Sequence, residues 1–137
     1  MENKLRSLLG VLCLLLAMAL ASCGAGGGSK PDTVAADTAK LFYDSLCRGG
    51  YEYFTDMTYQ PERIPDGYRR QLVDNTKMYF KSLCDEHGGV ARVEVSNCRY
   101  NADKTVAEAF LLLCFADSSK NEIVVPMTKH DGKWMMK

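Results

Sequence analysis

Hydrophobic and polar positions change their period halfway along the chain. Between residues 33 and 48, Val34, Thr38, Leu41, Phe42 and Leu46 recur at helical spacing, Asp32 or Thr33 stands ready as an N-cap, and Gly49-Gly50 ends the run. Tyr51, Tyr53, Phe54 and Met57 make a short apolar segment of one or two helical turns before Pro61 and the Pro65-Asp66-Gly67 breaker. A longer helix is predicted over 66–86, where Tyr68, Leu72, Thr76, Tyr79, Phe80 and Leu83 space out at three and four, Arg69, Arg70, Asp74, Lys77 and Lys81 form a solvated face, and His87-Gly88-Gly89 closes the element. From there the period falls to two. Val93 and Val95 alternate with Arg92 and Glu94, Asn101-Ala102-Asp103 offers a turn, and Thr105 to Phe115 reads as a long, mostly apolar strand. After Ser118-Ser119-Lys120-Asn121, a third strand over 122–129 carries Ile123, Val125 and Met127 on one face, and Asp131-Gly132 is a hairpin turn into Lys133 to Met136. Helices first and an antiparallel meander second predict an α+β domain, with the helices against one face of a sheet of about four strands.

The N-terminus follows a different logic. Lys4 and Arg6 precede an apolar run from Leu8 to Leu20, and Ala21-Ser22 leads into Cys23, the three parts of a secretory signal. The run is shorter than the ~20 apolar residues of a membrane span. Leu20-Ala21-Ser22-Cys23 resembles the lipobox of bacterial lipoproteins, which implies diacylglycerol on the Cys23 thiol, cleavage just before it and acylation of the new amino terminus. The expected organisation is a lipoprotein signal peptide over 1–22, lipidated Cys23 with a Gly-rich tether over 23–31, and one domain over 32–137. GAGGGSK, Gly24 to Lys30, spans a root-mean-square distance of only roughly 15–17 Å, keeping the domain close to a bilayer. Some Gram-negative lipoproteins bound for the cell surface carry an acidic run after the lipidated Cys. Here none precedes Asp32, so the resemblance implies an outer-membrane location facing the periplasm.

Composition narrows the partners. The chain has 137 residues, 47% of them hydrophobic, which suits one ordinary domain plus attachments. With 17 Lys+Arg against 17 Asp+Glu and no block of like charge, it lacks the electrostatic footprint of a nucleic-acid binder.

The element order has a further meaning. A first helix ending in Gly and followed by Tyr51-Glu52-Tyr53-Phe54, a strand opening on Thr105-Val106-Ala107, and Asp131-Gly132-Lys133-Trp134 at the end together resemble the nuclear transport factor 2-like (cystatin-like) superfamily, and within it small bacterial lipoproteins of unknown function. The resemblance covers Asp32 to Lys137. It implies a curved sheet wrapped around the first helix, forming a cone whose open end holds a pocket or a partner surface. Its members range from isomerases and dehydratases to non-catalytic binding modules, so fold alone leaves function open. In the isomerase-type relatives a Tyr and acidic residues converge on the pocket. Tyr43 lies on the first helix, but no acidic partner matches that pattern, and no catalytic residue carries over.

Several side chains carry chemistry. Cys47, Cys84, Cys98 and Cys114 remain after processing, and a periplasmic location allows three disulfide connectivities among them; the simpler reading is four small buried thiols. If the first hairpin turns on Ala102-Asp103, Cys98 faces Ala107 and Cys114 faces Ala91, so these two are not directly opposite. Cys84 and His87 have the spacing of two metal ligands, but no further pair completes a zinc set; His87 at the negative end of a helix dipole is the plainer account, and His130 is expected in solvent. Asp37, Asp44, Glu52 and Asp56 are carboxylates for an isomerase or hydratase, or simply solvated helix-face charge. Trp134 and Met136 alternate, so both point to one sheet face, with Met135 on the other; with Tyr43 they are candidates for a pocket wall or an open sheet face.

The leading expectation is a membrane-tethered envelope lipoprotein whose domain, without catalysis, metal or cofactor, binds a hydrophobic small molecule or an envelope protein. The alternatives are an isomerase- or hydratase-type enzyme using a pocket carboxylate, and a structural subunit of an envelope assembly. The sequence leaves the oligomeric state open.

Overall fold

The computed structural model describes residues 31–137. The signal peptide, the lipidated Cys23 and the tether expected from the sequence lie outside the described residues. Helices α1 (Val34–Cys47), α2 (Tyr51–Asp56) and α3 (Asp66–His87) precede strands β1 (Val90–Tyr100), β2 (Val106–Phe115), β3 (Lys120–His130) and β4 (Lys133–Met136). The strands form one antiparallel sheet in the order β1-β2-β3-β4, as the meander pattern predicts. Helix α1 lies on this curved sheet, α2 packs on α1, and α3 packs on α2.

Period-two alternation builds the core. Ala107, Ala109, Leu111, Leu113 and Phe115 of β2 all face inward with at most 4% exposure, and their register partners Val93, Val125 and Met127 join them. On the helix side, Ala35, Ala36 and Ala39 are fully buried, followed by Phe42 and Leu46. Only methyl groups separate the first two turns of α1 from the sheet, so the helix sits deep in the concave face.

The start of α1 is held by strand β1. The Tyr100 hydroxyl accepts the Ala35 N–H at 3.0 Å and donates to the Asp32 carboxylate at 3.0 Å, satisfying one of the free donors of a helix N-terminus. Lys104 closes on the same carboxylate at 3.1 Å, and Lys104 first, then Tyr100, holds the Asp32 carboxyl below its ordinary range. Thr33, expected as a possible N-cap, does not cap: its hydroxyl donates to Asp37 at 2.8 Å instead.

The β1–β2 connection corrects the expected register. The turn takes the five residues 101–105, because the Asn101 side-chain oxygen accepts the N–H groups of Thr105 and Val106, each at 2.9 Å, and stops the strands closing more tightly. Cys98 therefore faces Ala109, not Ala107, and Cys114 faces Arg92, not Ala91. Bulges at Ala91 and Ser96 add a residue to β1 on each occasion. The second one reverses the alternation, so that Cys98 and Tyr100 share the inner face with Val95 and Val93.

Tight reversals link the helices. The Gly50 N–H donates to the Ser45 carbonyl at 2.8 Å, and a Cβ at Gly50 would collide with Ser45. At the end of α3, Gly88 takes the left-handed conformation (φ 75°) and its N–H caps the Cys84 carbonyl. Beyond α2 the chain crosses the outer edge of β4, where the Met136 N–H donates to Met57 at 2.9 Å and the Tyr59 N–H donates to Met136 at 2.7 Å. No helix among the described residues is long and apolar enough to cross a membrane.

The alanine face makes the first prediction. Ala39→Leu inserts three carbons where no space exists and is expected to destabilise the domain by about 1–3 kcal/mol. Leu41→Ala, at a position 61% exposed, is expected to cost less than about 0.5 kcal/mol. Urea midpoints of the two variants check this.

Candidate functional site

Between α2 and α3 the chain runs over the β4 edge and leaves an open groove of about 440 Å³. Ile64 and Met135 supply its apolar lining, and Arg63, Glu62, Tyr59 and His130 contribute polar and aromatic groups. The rings of Tyr59 and His130 stand 4.7 Å apart. Arg69, in the first turn of α3, is the fixed point. Its guanidinium donates through Nε and Nη2 to both Asp56 oxygens at 2.7 Å each, and Glu52 lies 3.8 Å away. This two-pronged pair joins the end of α2 to the start of α3 with a defined geometry. The bond from Arg69 holds the Asp56 carboxyl below its ordinary range. On the far side of Asp56 a second depression of about 650 Å³ runs between the start of α2 and Asp74 and Lys77 of α3. Both have the volume of ligand sites, but both are open and rimmed by charges of either sign.

The sequence candidates are distributed differently. Register puts Trp134 and Met136 on the inner face, since Met136 pairs with Met127 and Met127 with Ala107. Met136 is part of the core, Trp134 is half-buried 5.7 Å from the Tyr100 ring, and Tyr43 stands edge-on to Phe54 at 5.1 Å. Burial, and then the neighbouring Tyr79, pushes the Tyr43 hydroxyl up to about 12. Met136 belongs to the core, and Tyr43 and Trp134 pack partly buried against it. Met135, which alternation sends to the outer face, is the one that borders the groove.

The carboxylates stay in solvent or in surface pairs. Asp37 accepts from Thr33, Asp44 pairs with Lys40 at 2.5 Å, and Glu52 and Asp56 flank Arg69. Among the described residues the one buried polar side chain is Thr55, whose hydroxyl bonds the Tyr51 carbonyl at 2.8 Å.

His87 gains partners that no local pattern reveals. Its Nδ1 lies 3.0 Å from Asp117 and 3.2 Å from Ser119, its ring stacks on Phe115 at 4.2 Å, and Ser119 donates to Asp117 at 2.5 Å. A catalytic triad places serine and carboxylate on opposite ring nitrogens. Here both share Nδ1, which ties the end of α3 to the β2–β3 turn. Ser119, through its hydroxyl and then its N–H, followed by His87, lowers the Asp117 carboxyl to about 2. No group of three or more His, Cys, Asp or Glu among the described residues is arranged to hold a metal ion. No disulfide joins Cys47, Cys84, Cys98 and Cys114 in this structure; Cys98 points inward and Cys114, opposite Arg92, outward.

Helical spacing puts Arg69 on a solvated face and gives no sign of its fork with Asp56. The two residues stand 13 apart across a proline-rich break, where neither helical nor strand spacing applies. The one available signal was the pair of arginines, Arg63 and Arg69, flanking Pro65-Asp66-Gly67.

No protein-family model and no curated protein matches the chain. Among solved structures it is similar to a Campylobacter jejuni protein provisionally named an NTF2-like transpeptidase. The TM-score is 0.59 and the identity 21%, over 73% of this chain and 94% of that one. At that identity the two share a fold, and the fold is nuclear transport factor 2-like, as the sequence resemblance implies.

The Asp117 cluster gives a pH prediction. A carboxyl whose folded pKa lies below its unfolded one, about 3.9, stabilises the fold above that value and loses the contribution as pH falls toward the folded pKa of about 2. Asp117→Asn is therefore expected to lower the urea midpoint at pH 7, with the gap to the parent narrowing between about pH 4 and pH 2. A gap that stays constant across that range contradicts the assignment.

Proposed function

We propose that this chain is a membrane-tethered envelope lipoprotein whose domain, without catalysis, binds a polypeptide segment of another envelope protein in the groove beside Arg69. The observation that carries the reading is the complete burial of Ala35, Ala36 and Ala39, which gives the concave face of the sheet to α1 and leaves recognition to the outer grooves. An apolar lining of Ile64 and Met135 beside Arg63 and Glu62 suits alternating side chains of a peptide better than a purely hydrophobic molecule. Lipidation of Cys23 and the short tether would hold the domain close to a membrane.

The name of the Campylobacter jejuni protein raises acyl transfer as a rival. Such chemistry needs a nucleophile with a base at hydrogen-bond distance, and a histidine base serves through a ring nitrogen that its carboxylate leaves free. Ser119, His87 and Asp117 contribute to the other side of the balance, because their shared Nδ1 leaves the serine bonded to the carboxylate. The isomerase-type alternative needs a sheltered carboxylate, and Asp37, Asp44, Glu52 and Asp56 are all accessible to water.

The test is site-specific photocrosslinking in living cells, with the probe at Gln60 or Arg63 and a control at exposed Met78 of α3. One discrete protein adduct is expected from the groove positions, and none from the control. Arg69→Ala, which releases the groove wall, is expected to weaken capture about tenfold, equivalent to ~1.4 kcal/mol. A bound compound of small mass released from the purified protein by organic solvent, with no protein adduct, would overturn the proposal in favour of a small-molecule carrier. Cys23→Ser is expected to abolish fatty-acid labelling and release the chain from the membrane fraction; retention of both would remove the anchor from the reading.

A further inference from the structure

Helix α3 has 22 residues, and Phe80 is the one side chain it buries. Such a helix needs attachments. At its start it has the fork from Arg69 to Asp56, and at its end the bond from His87 to Asp117. Between them runs a ladder of contacts in steps of four. The Thr55 and Thr76 hydroxyls meet at 3.3 Å. Four residues back along α2 and four forward along α3, the rings of Tyr51 and Phe80 lie 6.5 Å apart. The next step of four in sequence leads to Cys47 on one side and Cys84 on the other. The Gly49-Gly50 reversal carries this step from α2 into α1, since Gly50 bonds back to Ser45 and its carbonyl accepts the N–H of Phe54. Both cysteines are half-buried, and Cys47 packs against the core.

Three of the five other cysteine pairs are separated by the fold. Cys98 and Cys114 project from opposite faces of the sheet. Cys98 lies two residues from Tyr100, which holds Ala35 at the start of α1; Cys47 is twelve residues further along that helix, about 18 Å at 1.5 Å per residue. A disulfide requires Cα atoms within about 7 Å. Cys84 lies at the end of α3, where Gly89 bonds Ala116 beyond the end of β2, while Cys98 faces Ala109, about 20 Å away along the strand.

We propose that Cys47 and Cys84 form a disulfide that staples the last turn of α1 to the last turn of α3. One thiolate attacks the disulfide of a thiol–disulfide oxidant and releases the first oxidant thiol. The second thiolate attacks the mixed disulfide, the sulfur–sulfur bond forms and the second oxidant thiol leaves. Two protons and two electrons pass to the oxidant, which ends as a dithiol. The pairing is consistent with the electrostatics: burial first, then Asp44, then the neighbouring Cys84 push the Cys47 thiol up to about 11. The proposal rests on the envelope reading only for the source of the oxidant, because such compartments maintain disulfides.

The experiment takes the full chain in detergent micelles through a series of oxidised and reduced glutathione buffers, quenches with acid, alkylates the free thiols and maps the unreduced peptides. The expected product is a linked Cys47–Cys84 peptide, two hydrogens lighter than its parts, with Cys98 and Cys114 alkylated. Reducing the bridge is expected to lower Tm by on the order of 10 °C. Cys84→Ala is expected to abolish the shift, and Cys98→Ala to preserve it. Continued alkylation of Cys47 and Cys84 in oxidised buffer, or a mapped bridge between any other pair, overturns the proposal. The same mapping on chains extracted from cells separates the two readings. A pair that forms in the buffer but is reduced in the cell supports the disulfide and counts against the envelope location.

Discussion

The position of everything else depends on how closely α1 approaches the sheet. A larger residue at Ala35, Ala36 or Ala39 would lift the helix off β2, whose Ala107 and Ala109 are equally small and equally buried. Interiors of this density transmit displacement rather than absorb it. Lifting α1 would move the Ser45–Gly50 reversal, then α2, then Asp56, and with Asp56 the arginine that defines the groove. The small residues therefore act through geometry more than through their own burial, since an alanine methyl removes little apolar surface from water.

Much of this architecture was legible because amphipathic period is written locally. The helix of 34–47 and the alternation of Ile123, Val125 and Met127 need only neighbours three, four or two residues away. The bulge at Ser96 was not legible. Val93 and Val95 alternate correctly, and nothing in Ser96-Asn97 marks the extra residue that brings Cys98 and Tyr100 to the same face. The wide turn at 101–105 depends on one side-chain oxygen accepting two N–H groups, a choice that Asn makes only in a particular conformation. The candidate site was less legible still. Asp56 with Arg69 and His87 with Asp117 and Ser119 are contacts across 13, 30 and 32 positions, set by the packing of whole elements. Tyr43, Trp134 and Met136 show the reverse limit: alternation placed the last two on one face, but could not say that helix α1 occupies that face.

The groove owes its definition to a contact of modest energy. Exposed ion pairs contribute little to stability. A planar guanidinium meeting both oxygens of one carboxylate nevertheless permits few relative orientations, so the fork fixes direction where it adds little free energy. The β2–β3 turn is held in a similar way, with an imidazole lying flat on Phe115 while its edge bonds two side chains. In both places polar geometry orients elements that apolar packing alone leaves loosely specified.

The two borders of the sheet are closed by different means. At β4, the backbone of Met57 and Tyr59 takes the hydrogen bonds of Met136. At β1, eleven residues long with β2 as its only strand neighbour among the described residues, the bulges at Ala91 and Ser96 interrupt the regular row of donors and acceptors. A strand from another molecule docking there would meet a kinked template and could continue its ladder for only a few residues. The irregularity that brings Tyr100 to the start of α1 thus also makes the outer edge of β1 a poor template for a further strand.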